Sequence, residues 1–254
     1  MITIVILGAG NVATHLCTAL EASSSAKVLQ LYSRSSVSKG NFPKDVEIIS
    51  SLSNLREADV YIIAIPDDAI ASFSEVLPCK NKLVVHTSGS VPMLALSEYN
   101  RRGVFYMLQT FSKESKVLFS EIPICLETEV AVDMKTLETL ARSLSNTVVE
   151  ISSEERARIH LSAVFVNNFV NHIYRIGSDI LKTQNIPFHL LEPLIQETAR
   201  KIKVLSPEAA QTGPAKRNDK KTIEKHLHLL QDSPYQELYA QLTKAIQDVY
   251  GKEL

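Results

Sequence analysis

An apolar run, Ile2 to Leu7, leads directly into Gly8-Ala9-Gly10-Asn11-Val12-Ala13 and then into Thr14 to Ala22, where Leu16, Ala19 and Leu20 recur at helical spacing. The run is rich in β-branched side chains, the composition of a strand buried on both faces. Strand, G-x-G-x-x-A and helix in this order form the dinucleotide-binding fingerprint in the context it requires. Gly8 permits the tight turn, Gly10 lets a pyrophosphate reach the backbone, and Ala13 lets helix and strand pack closely. The helix opens around Asn11 and Val12, whose N–H groups and positive dipole end suit phosphate oxygens. A turn that used glycine only for its own geometry would not need both flanking elements. The opening of the chain therefore reads as a Rossmann site.

The end of the second strand decides which dinucleotide fits. Lys27 to Tyr32 reads as that strand and runs into Ser33-Arg34-Ser35. An NAD site places an acidic side chain here to accept hydrogen bonds from the ribose 2′-hydroxyl. No acid is present, and the Arg34 guanidinium flanked by Ser33 and Ser35 suits a 2′-phosphate. A solvated loop arginine is the plainer alternative, but the position favours NADP(H).

Further strands follow at Val46–Ile49, Val60–Ile65, Lys82–Thr87, Val104–Leu108, Ile122–Leu126 and Val148–Ile151, with a helix around Asp133–Leu144. Strands alternating with helices over about 150 residues predict an α/β, doubly wound, mostly parallel sheet. Pro66 ends its strand, and Asp67 or Asp68 is placed to cap the next helix. Ligands of such sheets lie beyond the carboxyl ends of the strands. That rule places Ile65, Pro66 and Ser88 beside the cofactor, and His86 where a nicotinamide or its substrate would lie. It also places Gln109 and Thr110, at the end of the next strand, near the substrate. A packed strand-end histidine is the competing reading of His86.

The texture changes at Ser152. Ser152-Ser153-Glu154-Glu155 has capping-box spacing and opens a glycine- and proline-poor stretch to about Gln184 that predicts one long helix. Phe165, Val166, Phe169, Val170, Ile173, Ile176 and Ile180 fall on one apolar arc at 100° per residue. A second arc carries His160, Asn167, Asn168, Asn171 and His172, polar groups that can bind a ligand or a partner while partly buried. Phe188–Lys203, a helix ending near Gln231 and one from Pro234 to Tyr250 complete an all-helical half. Between them lies a loop with Gly213-Pro214-Ala215-Lys216-Arg217, broken by its Gly-Pro pair. Residues 1–151 are thus expected to form the dinucleotide domain and residues 152–254 a helical one. The apolar arc makes a homodimer a reasonable expectation.

A net charge of −1 gives no global pull toward nucleic acid or an anionic membrane. Cys17, Cys79 and Cys125 form no C-x-x-C pair and predict neither a disulfide framework nor a metal site. The first strand leaves no room for a signal peptide, and no apolar stretch is long enough to span a bilayer. A cytoplasmic protein is expected.

The chain resembles a family of two-domain proteins whose helical half is called a domain of unknown function. The resemblance rests on the glycine motif, His86-Thr87-Ser88-Gly89-Ser90, Gln109-Thr110-Phe111-Ser112, Asn167-Asn168-Phe169 and the stretch Gln211 to Asp219. The sheet half looks like deazaflavin-dependent NADP oxidoreductases and pyrroline-carboxylate reductases. The whole layout, with its helical second domain, is similar to 6-phosphogluconate and 3-hydroxyisobutyrate dehydrogenases. What the resemblance implies is an NADP(H) oxidoreductase without an assigned substrate; the leading expectation is hydride transfer to or from a small polar, anionic carbonyl or imine compound. One departure matters: the dehydrogenases carry a catalytic lysine four residues before an asparagine on the long helix. Here Ala163 and Val164 occupy those positions, and no lysine occurs between Glu154 and Leu181. Proton transfer then falls to His86 or His160, with Asn167 and Asn171 beside them. Gln109, Thr110 and Asn168 would orient the substrate, and Lys216 or Arg217 would neutralise a carboxylate. The missing lysine also admits a non-catalytic NADP(H) sensor or scaffold.

Overall fold

The computed structural model describes residues 1–36, 42–113 and 116–251. They divide into two compact units, residues 1–167 and 168–254. The first is built on a sheet with strands β1 (Ile2–Leu7), β2 (Ala26–Tyr32), β3 (Glu47–Ile49), β4 (Val60–Ile63), β5 (Leu83–His86), β6 (Arg101–Met107), β7 (Ile124–Thr128) and β8 (Val148–Glu150). Their order is β3-β2-β1-β4-β5-β6-β7-β8. Neighbours are parallel except β6 and β7, which run antiparallel. Strand order reverses between β1 and β4, the place where a doubly wound sheet opens a ligand crevice.

The central strands are buried on both faces, and the two-residue period sorts their side chains. Ile4, Ile6, Val60, Ile62, Leu83 and Val85 enter one core, which also holds Leu16 and Leu20 of α1 (Asn11–Glu21) and Leu137 and Leu140 of α3 (Ala131–Arg142). Val5, Leu7, Tyr61, Ile63 and Val84 enter the opposite core, with Ile70 of α2 (Asp67–Glu75). At about 25 cal/mol per Å² of apolar surface, these two cores supply most of the sheet unit's stability. Pro66, not Asp67 or Asp68, caps α2, with no side-chain cap hydrogen bond. Proline has no side-chain acceptor, and Asp67 lies within the first turn. Its carboxylate accepts from Ser90 Oγ at 2.6 Å, tying α2 to the loop after β5.

The capping box forms as read: Glu155 N–H donates to Ser152 Oγ, and Ser152 N–H donates to the Glu155 carboxylate. It starts α4 (Ser153–Ala163). Residues Val164–Phe169 are π-helical, and α5 (Val170–Lys182) follows. The expected single α-helix is therefore interrupted. A π-turn closes i→i+5 hydrogen bonds, so an arc drawn at 100° per residue loses its phase there. The division between the units falls inside this stretch, later in the chain than residue 151. The reason is local: α4 is anchored on the sheet unit through Arg156, whose partners are given below.

The second unit contains α5, then α6 (Glu192–Lys201), the short α7 (Pro207–Ala210), α8 (Lys220–Leu229) and α9 (Gln236–Tyr250). Phe188–Leu191 is a 3₁₀ turn, not the first turn of α6. Asp219 caps α8 by accepting from the Thr222 N–H at 3.1 Å. No helix among the described residues is long and apolar enough to cross a membrane.

Candidate functional site

The glycine turn is built as its composition demands. Gly8 has φ +135°, and a Cβ there would lie 2.1 Å from the Ala64 carbonyl oxygen at the end of β4. Only glycine fits. Gly10 is different: its φ is −77°, open to any residue, and a Cβ on it would meet nothing within 4 Å. The protein's own packing does not require glycine at this position. Gly10 is also the residue before α1, and no side chain caps that helix. Its first-turn N–H groups, among them those of Asn11 and Val12, are left for another acceptor. A diphosphate fits both features, the free approach and the uncapped dipole end.

Beside this turn lies a cleft of about 650 Å³ lined by Gly8, Gly10, Tyr32, Ser33, Arg34, Ser35, Ile65 and Phe73, among others. The sequence motifs of β1, β2 and β4 thus meet in one concavity. Ser33 is buried and donates its N–H to the Ile49 carbonyl at 2.9 Å, while Arg34 and Ser35 are exposed. Arg34 forms no ion pair among the described residues. Pro66 is exposed at the same edge. A larger groove of about 1040 Å³ borders α1, lined by His15, Lys113, Lys116 and Phe119 among others. It lacks both glycines and Arg34.

Asn11 Nδ2 donates to the Phe111 carbonyl at 3.0 Å, and His15 Nε2 pairs with the Ser112 carbonyl at 2.9 Å. The Gln109-Thr110-Phe111-Ser112 segment is therefore drawn to the start of α1. Gln109 and Thr110 are exposed, but Gln109 Oε1 accepts the Thr110 N–H at 2.8 Å, so its amide is partly spent on its own backbone.

The two candidate histidines differ sharply. His86 is fully buried. Its Nδ1 accepts the Ser88 N–H at 3.2 Å. Burial, reinforced by the nearby Arg156 charge, lowers its pKa to about 4. A ring closed off from solvent and held neutral lacks the access that a proton donor needs, which weighs against His86 in that role. Ser88, also buried, accepts from Ser90 N–H at 3.1 Å and Val91 N–H at 3.0 Å and so shapes the loop after β5.

His160, on α4, is half-buried. Its Nδ1 lies 3.2 Å from Tyr106 Oη, and the two rings meet edge-on with centroids 6.1 Å apart. Burial raises the Tyr106 phenol above its ordinary pKa, so it stays protonated, and the proton shared with His160 lies on the phenol or on Nδ1 according to the state of the ring. Gly89 makes room for this pair: a Cβ there would lie 2.6 Å from His160 Nδ1 and 2.8 Å from Tyr106 Cζ. Tyr106 and Gly89 were not among the residues singled out for this role. Their signal is the tertiary contact alone.

Asn167 lies in the π-helical stretch and is exposed, as are Asn168 and Asn171 in the second unit. In that unit Lys216 Nζ sits 4.9 Å from the Tyr250 ring centroid, a cation–π contact. Arg217 is exposed beside it. No cluster of three or more His, Cys, Asp or Glu suited to a metal occurs among the described residues.

Comparison with known proteins agrees with this geometry. Residues 122–246 match the family described as a domain of unknown function, DUF2520. The crystal structure named "putative NADP oxidoreductase BF3122" from Bacteroides fragilis shares 40% identity, covering 97% of this chain and 98% of that one, with a TM-score of 0.89. Protein TM1727 from Thermotoga maritima is similar at 19% identity over 98% and 99% of the two chains, TM-score 0.80. Plasmodium falciparum pyrroline carboxylate reductase, solved with NADP bound, shares the fold at 15% identity over 96% and 98%, TM-score 0.59. No curated protein sequence matches the chain. The chain belongs to the same family as BF3122; its DUF2520 match begins at Ile122, within the sheet unit, and runs through the helical unit to residue 246.

Proposed function

We propose that this protein is an NADP(H)-dependent oxidoreductase that moves a hydride to or from a small polar carbonyl or imine compound. The observation that carries the reading is Gly10: glycine where the fold does not need it, facing open space at an uncapped helix start. Ser33, Arg34 and Ser35 on the same cleft suit the 2′-phosphate. BF3122 carries NADP in its name and the pyrroline carboxylate reductase was solved with NADP bound, which supports the choice. NADPH, when bound, supplies the hydride to the electrophilic carbon.

The chain's own residues do the rest. His160, oriented by Tyr106 and half-exposed so that its ring exchanges protons with solvent, gives a proton to the substrate's oxygen or nitrogen as the hydride arrives. Gln109, Thr110 and Asn167, all in the sheet unit, orient the substrate. The protein acts in the cytoplasm, in keeping with its free Cys17, Cys79 and Cys125.

It also works as a homodimer. In the second unit Ala215, Leu230 and Thr243 are the only buried described residues, while Phe169, Ile173, Ile180, Leu190 and Leu194 are all more than 40% exposed. Exposed apolar surface on this scale is characteristic of an interface.

Calorimetry with NADPH and NADH tests the cofactor. NADPH should bind more tightly, and Arg34→Ala should remove about 1.5–3 kcal/mol of that preference, roughly ten- to a hundredfold. Equal affinity of the parent for both would refute the assignment. A screen of carbonyl and imine compounds by NADPH absorbance tests turnover; tight binding with no turnover is the outcome a sensor predicts.

A further inference from the structure

Arg156 heads the fully buried side chains in volume, with 1% of its surface exposed. An ionised group there needs partners close by, and it has them on three segments. Nη1 donates to the Glu127 carboxylate on β7. Nη2 donates to the Val91 carbonyl at 2.6 Å and to Ser153 Oγ at 3.1 Å. The Ser153 hydroxyl donates to the same Glu127 carboxylate at 2.7 Å and accepts the Met93 N–H at 2.9 Å. β7, the loop after β5 and the first turn of α4 therefore converge on one guanidinium.

Stability alone is a weak reason for such a group, since well-packed apolar residues often replace buried ion pairs without loss. What a forked, planar donor supplies is geometry. His160 follows Arg156 by four residues and so shares its face of α4. Gly89, which His160 touches, precedes Val91 by two residues on the loop that Arg156 holds. Both sides of the His160 contact hang from the same guanidinium.

We propose that Arg156 is a positioning residue: clamped between Glu127 and the Val91 carbonyl, it fixes α4 against the Ser88–Val91 loop so that His160 meets Gly89 and Tyr106. The functional value of this rests on the reading of His160 as proton donor, but the geometry is testable without cofactor or substrate.

The test is nitrogen NMR of the histidine rings in full-length protein at alkaline pH, where imidazoles are neutral. His160 is assigned by loss of its signals in His160→Gln. In the parent, the Tyr106 contact should hold His160 in one tautomer, well separated from the exposed His172 signals. Arg156→Lys keeps a charge beside Glu127 but cannot fork to Val91. In it the His160 Nδ1 signal should move most of the way to that of His172, with the circular dichroism unchanged. Parental His160 signals in folded Arg156→Lys would overturn the proposal, because charge balance alone would then explain the arginine. Should Arg156→Lys not fold, Ser153→Ala decides, being the milder loosening of the same clamp: a moved signal supports the proposal and a fixed one overturns it. Failure of the parent to bind NADPH would instead refute the oxidoreductase reading and leave this measurement intact.

Discussion

The two glycines of the first turn make opposite demands, and exchanging each should separate folding from binding. For Gly8→Ala, a φ of +135° is a region that side-chain-bearing residues enter at a cost of about 1–3 kcal/mol. The added Cβ also lies 2.1 Å from the Ala64 carbonyl oxygen and 2.7 Å from its carbon. Neither atom is the end of a flexible side chain, so β1 and β4 must part at the point where Ala64 N–H donates to the Leu7 carbonyl at 2.8 Å. Overpacking of this kind adds about 1–3 kcal/mol. A total of about 4 kcal/mol lowers the melting temperature by roughly 8–16 °C for a chain of this size. For Gly10→Val the backbone is unstrained and the space is open, leaving only the poorer N-cap, about 1 kcal/mol or less. Its methyl groups fill the volume assigned to the pyrophosphate. Losing two charge-assisted contacts at about 1.5–3 kcal/mol each weakens NADPH at least a hundredfold, on the order of 3 kcal/mol. Thermal melts by circular dichroism and calorimetric titration read the two effects separately. Gly8→Ala melting with the parent, or Gly10→Val binding NADPH with parental affinity, would refute the reasoning.

The burial of His86 predicts a pH effect on stability. Its folded pKa of about 4 lies below the 6.5 of an unfolded histidine, so the unfolded chain takes up a proton first. The stability is intact above pH 6.5 and is lost between 6.5 and 4, by up to about 3 kcal/mol; His86→Asn should flatten urea midpoints over that window, and an unchanged slope would count against it. The exposed apolar residues predict sedimentation at twice the monomer mass, with Val166→Asp, at a position 74% exposed, giving monomers; a monomeric parent would refute the dimer. Gly89→Ala should leave NADPH affinity intact while cutting turnover at least tenfold, since its Cβ displaces His160; full turnover would remove His160 from the mechanism.

The sheet was legible because its signals are local. β1, β2, β4 and β5 fall within about two residues of the apolar runs that suggested them, since a strand buried on both faces announces itself by composition. β7 starts at Ile124 and not Ile122, because Ile122 N–H is spent on the Phe119 carbonyl at 3.0 Å, closing a 3₁₀ turn. That the glycine turn and the end of β2 line one cleft was legible for the same reason: both are short-range patterns. Arg156 was not. In Ser153-Glu154-Glu155-Arg156-Ala157-Arg158 the two arginines look alike, yet Arg158 lies exposed in an i,i+4 pair with Glu154 while Arg156 is buried. Only contacts with β7 and the loop after β5 distinguish them. The π-helical stretch is equally silent in a pattern drawn at α-helical period.

The choice between His86 and His160 turns on the difference between position and access. Topology puts His86 at the carboxyl end of β5, one strand beyond the switch point. The two-residue period then makes it follow Val84 onto a face that is buried along the whole strand, and a strand with no wet side gives its last residue no route to a ligand. Beyond the strand Gly89, itself buried, leaves a space with no side chain of its own. That space invites a group from elsewhere in the chain, and His160 occupies it, held by the Tyr106 phenol from the neighbouring β6. His160 is only partly buried, whereas His86, sealed and with a pKa lowered to about 4, stays neutral at physiological pH. The loop glycine, which its motif marks only as a turn residue, is therefore what admits His160, the proposed proton donor, to the edge of the sheet.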